Sequence, residues 1–212
     1  MTAIKKDGIQ GKEILETPDQ HSRRLKPFTY PTAIRNSEKK IIDNVRNFGF
    51  HIVAVKETDD TPEFFYTIGL YSQYQHPELL IMGVHVSAAA DIFRRAHTII
   101  KNGGAIQPWI SLPEEMTHTP MKSVAIDASN YTAFLGYGMW FYRSLGKSRP
   151  DTFPAIQFVW PDVPNDIYPW DEGYDTGFSF VQNVLCNDQS LNQAVERNAW
   201  GANNFGASLN SL

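Results

Sequence analysis

Residues 77–84 read PELLIMGV, and the run Leu79-Leu80-Ile81-Met82 inside it decides the fold. Four successive apolar residues behind a proline and ahead of a glycine are too short a stretch for a helix. A strand with no polar alternation is a strand buried on both faces, so this one belongs in the middle of a sheet with a helix packed on it. Upstream, EFFYTIGL (63–70) and FHIVAV (50–55) are rich in β-branched and aromatic residues and flank the turn TDDTPE, which reads as a hairpin. Before them SEKKIIDNVRNFG (37–49) has helical spacing: Ser37 is a suitable N-cap, Ile41, Ile42, Val45 and Phe48 share a face, and Gly49 suits the left-handed position at the end. Its charged face is expected simply to be solvated.

Downstream, VSAAADIFRRAHTIIKNGG is a second helix, with Ser87 as cap and Ala89, Ala90, Phe93, Ala96, Ile99 and Ile100 on one side. A proline-punctuated connection leads to a strand over Met121–Ile126. SNYTAFLGYGMWFYRSLG follows as a helix with an aromatic stripe, and FPAIQFVW (153–160) is the last clear strand. The order α-β-β-β-α-β-α-β predicts an α+β domain: a mainly antiparallel sheet of about four to five strands with helices packed on one face. One domain over 37–178 is expected, with an extended N-terminal arm at 1–36, where PFTYP cannot continue a helix. The Asn/Ser/Gly-rich stretch 179–212 reads as a polar tail holding one short helix within 189–200.

Charge is unevenly placed. The net formal charge is −4, but residues 1–60 carry 11 Lys/Arg against 9 Asp/Glu, residues 61–150 carry 7 against 6, and residues 151–212 carry 1 against 8. That balance gives no reason to expect nucleic acid as a partner. Cys186 is the only cysteine, which removes disulfides and cysteine-rich zinc sites and suits a reducing compartment. With no signal-peptide core and no window of membrane-spanning apolarity, a cytoplasmic protein without membrane contact is expected.

Several tempting chemistries fail on spacing. Trp160-Pro161-Asp162 spells the acid loop of a tyrosine phosphatase, yet that reaction needs a cysteine followed six residues on by arginine, and Cys186 is followed there by Asn192. His76-Pro77-Glu78 matches half of a zinc deaminase signature, but the P-C-x-x-C half is missing. H-E-x-x-H, G-x-S-x-G and glycine-rich phosphate loops are absent.

Taken together and in order, GFHIVAV, FYTIGLY, HPELLIMG, FLGYGMWFY and FPAIQFVWPD followed by YPWDEG resemble the bacterial family called domain of unknown function 4262, over roughly Ile41 to Tyr174. The resemblance implies one fold unit and no established activity, so it assigns no catalytic residue. Similar members often carry phenylalanine and a glycine-bearing turn before the Pro-Trp pair, where this chain has VPNDIYPW.

The residues themselves offer three candidate sites, each with a plainer alternative. His51 and His76 border adjacent strands and, with Glu78 or Asp162, can be drawn as a catalytic cluster or a divalent-metal site, His51, His76 and Asp162 being the candidate metal ligands. The plainer reading makes them hydrogen-bonded rim residues. Tyr66 and Gly69 with Tyr137, Trp140 and Tyr142 can line a pocket for a flat ligand such as a nucleotide base or flavin, and Trp160 and Trp170 can add ligand-binding indoles at the sheet's rim, or else these aromatics simply fill the core. Gly69 implies a close backbone approach by another element or a ligand. Asp162, Asp166, Asp171, Glu172 and Asp175 can gather Mg²⁺ or Ca²⁺, or form a solvated loop in which Asp162 and Asp166 cap turns. The expectation is a binding module that takes a small molecule or a protein segment at an aromatic-lined sheet rim, with a metal-assisted hydrolase as the alternative and self-assembly through the terminal segments.

Overall fold

A computed structural model of the protein describes residues 23–145, 153–163 and 165–187. Helix α1 (Asn36–Phe48) leads into strand β1 (His51–Val55), which forms the expected hairpin with β2 (Phe64–Ile68) in the register His51↔Ile68 to Val55↔Phe64. A short helix α2 (Leu70–Tyr74) precedes β3 (Glu78–Met82), the PELLIMGV strand. Helix α3 (Val86–Lys101) and a single turn α4 (Glu114–Thr117) lead to β4 (Lys122–Ala125). Helices α5 (Tyr131–Phe134) and α6 (Gly136–Tyr142) come before β5 (Ala155–Val159).

The strands form one sheet in the order β1-β2-β3-β5-β4. Three pairings are antiparallel and the central one, β3 with β5, is parallel, so the α+β class holds with a mixed, mainly antiparallel sheet. Strand β3 is central and buried at all five positions, as its unbroken apolar run requires.

Helices cover both faces of the sheet, where the sequence reading expected one. Phe64, Tyr66, Ile68, Leu80 and Met82 point to a core shared with Ile41, Ile42 and Val45 of α1 and with Phe141 and Tyr142 of α6. The alternate residues Phe65, Leu79, Ile81, Ile156 and Phe158 pack against Ala89, Ile92, Phe93, Ala96 and Ile100 of α3. Strand alternation sends neighbours to opposite faces, so a strand apolar at every position needs a cover on each side. Each large side chain buried in these layers contributes about 1.5–3 kcal/mol.

Local ends differ in instructive ways. Helix α1 starts one residue ahead of Ser37, and Glu38 closes its first turn by accepting the backbone N–H groups of Ile34 (2.6 Å) and Arg35 (3.0 Å). Gly49 does end it in the left-handed conformation, φ 85°. Phe48, expected on the buried face, is 64% exposed. The helix read through 129–146 breaks at Leu135, which leaves helical geometry at φ −120° and ψ 32°, and Gly138 in the second piece lies against the Phe153 ring, where a Cβ would be 2.8 Å from it.

Within the expected arm, residues 23–35 dock on the domain. Phe28 lies 5.4 Å from the Phe141 ring, the Leu25 N–H donates to the Ser72 carbonyl (2.9 Å), and the Tyr30 hydroxyl accepts from Gln73 Nε2 (3.0 Å). At the other end Gln157 holds the segment after Val181, donating to the Asn183 carbonyl (2.6 Å) and accepting from the Leu185 N–H (2.8 Å). The short helix expected within 189–200 lies outside the described residues. No helix among the described residues is long and apolar enough to cross a membrane.

Candidate functional site

Glu78 opens β3 and is completely enclosed, 1% exposed. Its carboxylate accepts from Thr67 Oγ1 (2.7 Å), the Gly69 N–H (2.9 Å), the Tyr71 N–H (3.1 Å) and the Tyr142 hydroxyl. The Tyr142 oxygen in turn accepts from the Gly69 and Ser72 N–H groups (3.2 and 3.3 Å). Burial pushes the Glu78 carboxyl above its usual range despite these donors, and pushes the Tyr142 phenol up beside it. This network fixes the turn between β2 and α2. Gly69 sits there at φ 117°, and a Cβ would be 2.8 Å from the Val45 side chain, so the close approach expected at this glycine is made by α1.

The fixed turn presents α2 to an open cleft of about 890 Å³ at this end of the sheet. Helix α1 contributes Lys40, Asn44, Arg46, Asn47 and Phe48 to its walls, and the chain Gly49–Ile52 forms its base. Gln73 and Tyr74 enter from α2, Arg94, His97 and Lys101 from α3, and Arg24 from the docked arm. Among the described residues, five that line it are Lys or Arg and none is acidic. Three of the cations have local partners: Arg24 Nε donates to Gln73 Oε1 (3.0 Å), Arg46 lies 4.6 Å from the Tyr30 ring centre, and Arg94 pairs with Asp91 (2.8 Å). Lys40 and Lys101 are exposed, on helices packed against opposite faces of the sheet.

Two histidines stand among these cations. His51 Nδ1 is 2.8 Å from Asn44 Nδ2, which makes that nitrogen the acceptor and puts the ring proton on Nε2. His97 Nε2 and the Tyr74 hydroxyl are 3.0 Å apart, and the Phe50 ring lies 4.5 Å from the His97 ring. Burial, aided by the Lys40 charge, brings His51 down to about 4; burial aided by Lys101 brings His97 down to about 4 as well. Both rings are neutral at pH 7. The cleft thus combines fixed positive charge, two uncharged imidazoles, three amide side chains and aromatic surface.

The residues singled out in the sequence lie in several places. His51 is in the cleft. His76 is buried, its Nδ1 bonded to the Pro77 carbonyl (2.8 Å) and its Nε2 accepting from the Ile106 N–H (2.9 Å), so both nitrogens are engaged. Glu78 aligns with Ala155, the first residue of β5, whereas Asp162 lies beyond Val159 at the other end of that strand. Asp162 organises its own loop, accepting from the N–H groups of Asn165 (3.0 Å), Ile167 (3.1 Å) and Asp175 (2.8 Å). Burial works to raise its carboxyl, and those donors outweigh burial and hold it below its usual range. Among the described residues no three His, Cys, Asp or Glu side chains are grouped to hold a metal ion, which applies both to His51, His76 and Asp162 and to the acidic loop.

The aromatic set divides likewise. Tyr66 takes the Tyr137 N–H (3.2 Å) and, with Tyr137 and Trp140, belongs to the core layer of α1 and α6. Trp160 packs in the layer of α3 and donates to the Met82 carbonyl (2.9 Å), while Trp170 stacks on Tyr168 at 5.3 Å beside β4. Lys40, Arg94, His97 and Lys101 went unnoticed in the sequence. Their signal was the spacing Arg94, His97, Lys101 along one side of α3, together with the basic balance of the first 60 residues.

Searches of curated proteins and of solved structures find no match to this chain. The family model described as "Domain of unknown function (DUF4262)" matches residues 44–175, which run from the cleft wall of α1 through the loop held by Asp162, and the chain belongs to that family.

Proposed function

We propose that this chain is a binding module for a small anionic molecule, taken up in the cleft between α1, the start of β1, α2 and α3. The observation that supports the reading is the lining: among the described residues, five Lys or Arg side chains and no carboxylate, in a protein whose net charge is −4. Concentrating one sign of charge in a concave site focuses the field on a ligand of the opposite sign. The described residues that face the cleft come from 24–101, a stretch that is not acidic. A reducing compartment such as the cytoplasm suits the single, buried Cys186.

Isothermal titration of the full chain with inorganic phosphate, tripolyphosphate and citrate tests the proposal. At least one of them is expected to bind, more weakly as salt is raised. The Lys40→Ala, Lys101→Ala double variant, altered only at exposed positions, should bind it at least about tenfold more weakly, since each exposed cation contributes on the order of 1 kcal/mol. Binding that is indifferent to both salt and the double substitution overturns it.

A further inference from the structure

We propose that the anion carries a flat ring, and that the ligand class is the nucleoside polyphosphate; this rests on the anion-binding reading of the same cleft. The charge in the walls exceeds what a single phosphate requires. Lys40 and Arg46 come from α1 on one face of the sheet and Arg94 and Lys101 from α3 on the other, so cations reach the cleft from two sides, an arrangement suited to a chain of phosphates crossing this end of the sheet. No glycine-rich loop supplies backbone N–H groups, so side chains must hold the phosphates.

The second half of the argument is aromatic. Phe48 follows Ile41, Ile42 and Val45 in helical register, yet it is 64% exposed and borders the cleft. The left-handed turn at Gly49 carries the chain away immediately after it, and among the described residues the ring stays largely open to solvent. Phe50, Tyr74 and His97 add planar surface deeper in, with Phe50 and His97 inclined by 31°. Bare phosphate or a small carboxylate uses none of this surface. A base stacked on it gains an interaction available to any ring, and Asn44, Asn47 and Gln73 offer amide groups for base edges and sugar hydroxyls. At about 890 Å³ the cleft is of the size that takes a molecule of this class.

Equilibrium dialysis of the full chain against ATP, GTP, inorganic tripolyphosphate and adenosine decides the matter, with Phe48→Ala and the Lys40→Ala, Lys101→Ala double variant alongside wild type. The nucleotides are expected to bind about tenfold more tightly than tripolyphosphate, and adenosine far more weakly than either. Phe48→Ala should remove most of that advantage while leaving tripolyphosphate within about twofold, and the double lysine variant should weaken both. Tripolyphosphate binding as tightly as ATP, or ATP binding unchanged in Phe48→Ala, overturns the ring and leaves the anion site standing. Failure of every anion to bind removes the anion site and the ring proposal together. Adenosine binding as tightly as ATP overturns the role of the phosphates.

Discussion

Glu78 shows how much one residue can organise. Its carboxylate takes two backbone N–H groups and two hydroxyls in an enclosed space, so truncation leaves donors buried without acceptors, each costing about 1–3 kcal/mol. Glu78→Ala should lower unfolding free energy by about 3–5 kcal/mol in urea denaturation, whereas Glu78→Gln, which keeps the acceptor facing Gly69 and Tyr71, should stay folded. The pair also reports the carboxyl's raised proton affinity. A group whose pKa is higher folded than unfolded stabilises the fold below its unfolded value, near 4.5, and loses that contribution as pH rises through the folded value. Wild type should therefore lose stability relative to Glu78→Gln as pH is raised from 4 to 8, and a constant difference would contradict the burial argument.

At the scale of elements, the junction of β2 with α2 carries the cleft. Strand β2 ends at Ile68, and Gly69 turns the chain at φ 117° while Val45 of α1 and the Gly49 carbonyl close in to 2.8–2.9 Å of where a Cβ would be. Gly69→Ala adds left-handed strain and a clash with packed backbone, and should cost about 2–4 kcal/mol. It should also loosen anion binding, because α2 carries Gln73 and Tyr74 into the cleft; thermal melts and the tripolyphosphate titration read the two effects separately. An alanine variant as stable as wild type would mean that α1 and α2 are not in fixed contact.

Taken as a whole, the molecule brings five Lys or Arg side chains of its described residues to one cleft, and the two half-buried histidines among them respond to acid. His51 and His97 fall to about 4 in the folded protein against 6.5 when unfolded. The unfolded chain then binds more protons, and stability present above about pH 6.5 is lost as pH falls towards about 4. Urea denaturation between pH 7 and 4.5 should show this decline, flattened in a His51→Gln, His97→Gln double variant; equal slopes would refute it. The sequence by itself determined the long elements: an unbroken apolar run makes a central strand, helical spacing makes α1 and α3, and Gly49 ends α1, all of which follow from short-range chain geometry. The motifs in order also resemble the family that the chain belongs to. Only the tertiary structure decided that helices cover both faces, that His76 and Asp162 are occupied by backbone partners, and that Tyr66, Trp160 and Trp170 lie in separate layers. The basic cleft belongs to that second kind. Lys40 and Lys101 are 61 positions apart, and nothing local to either states that α1 and α3, packed on opposite faces, bring their charges to the same end of one sheet.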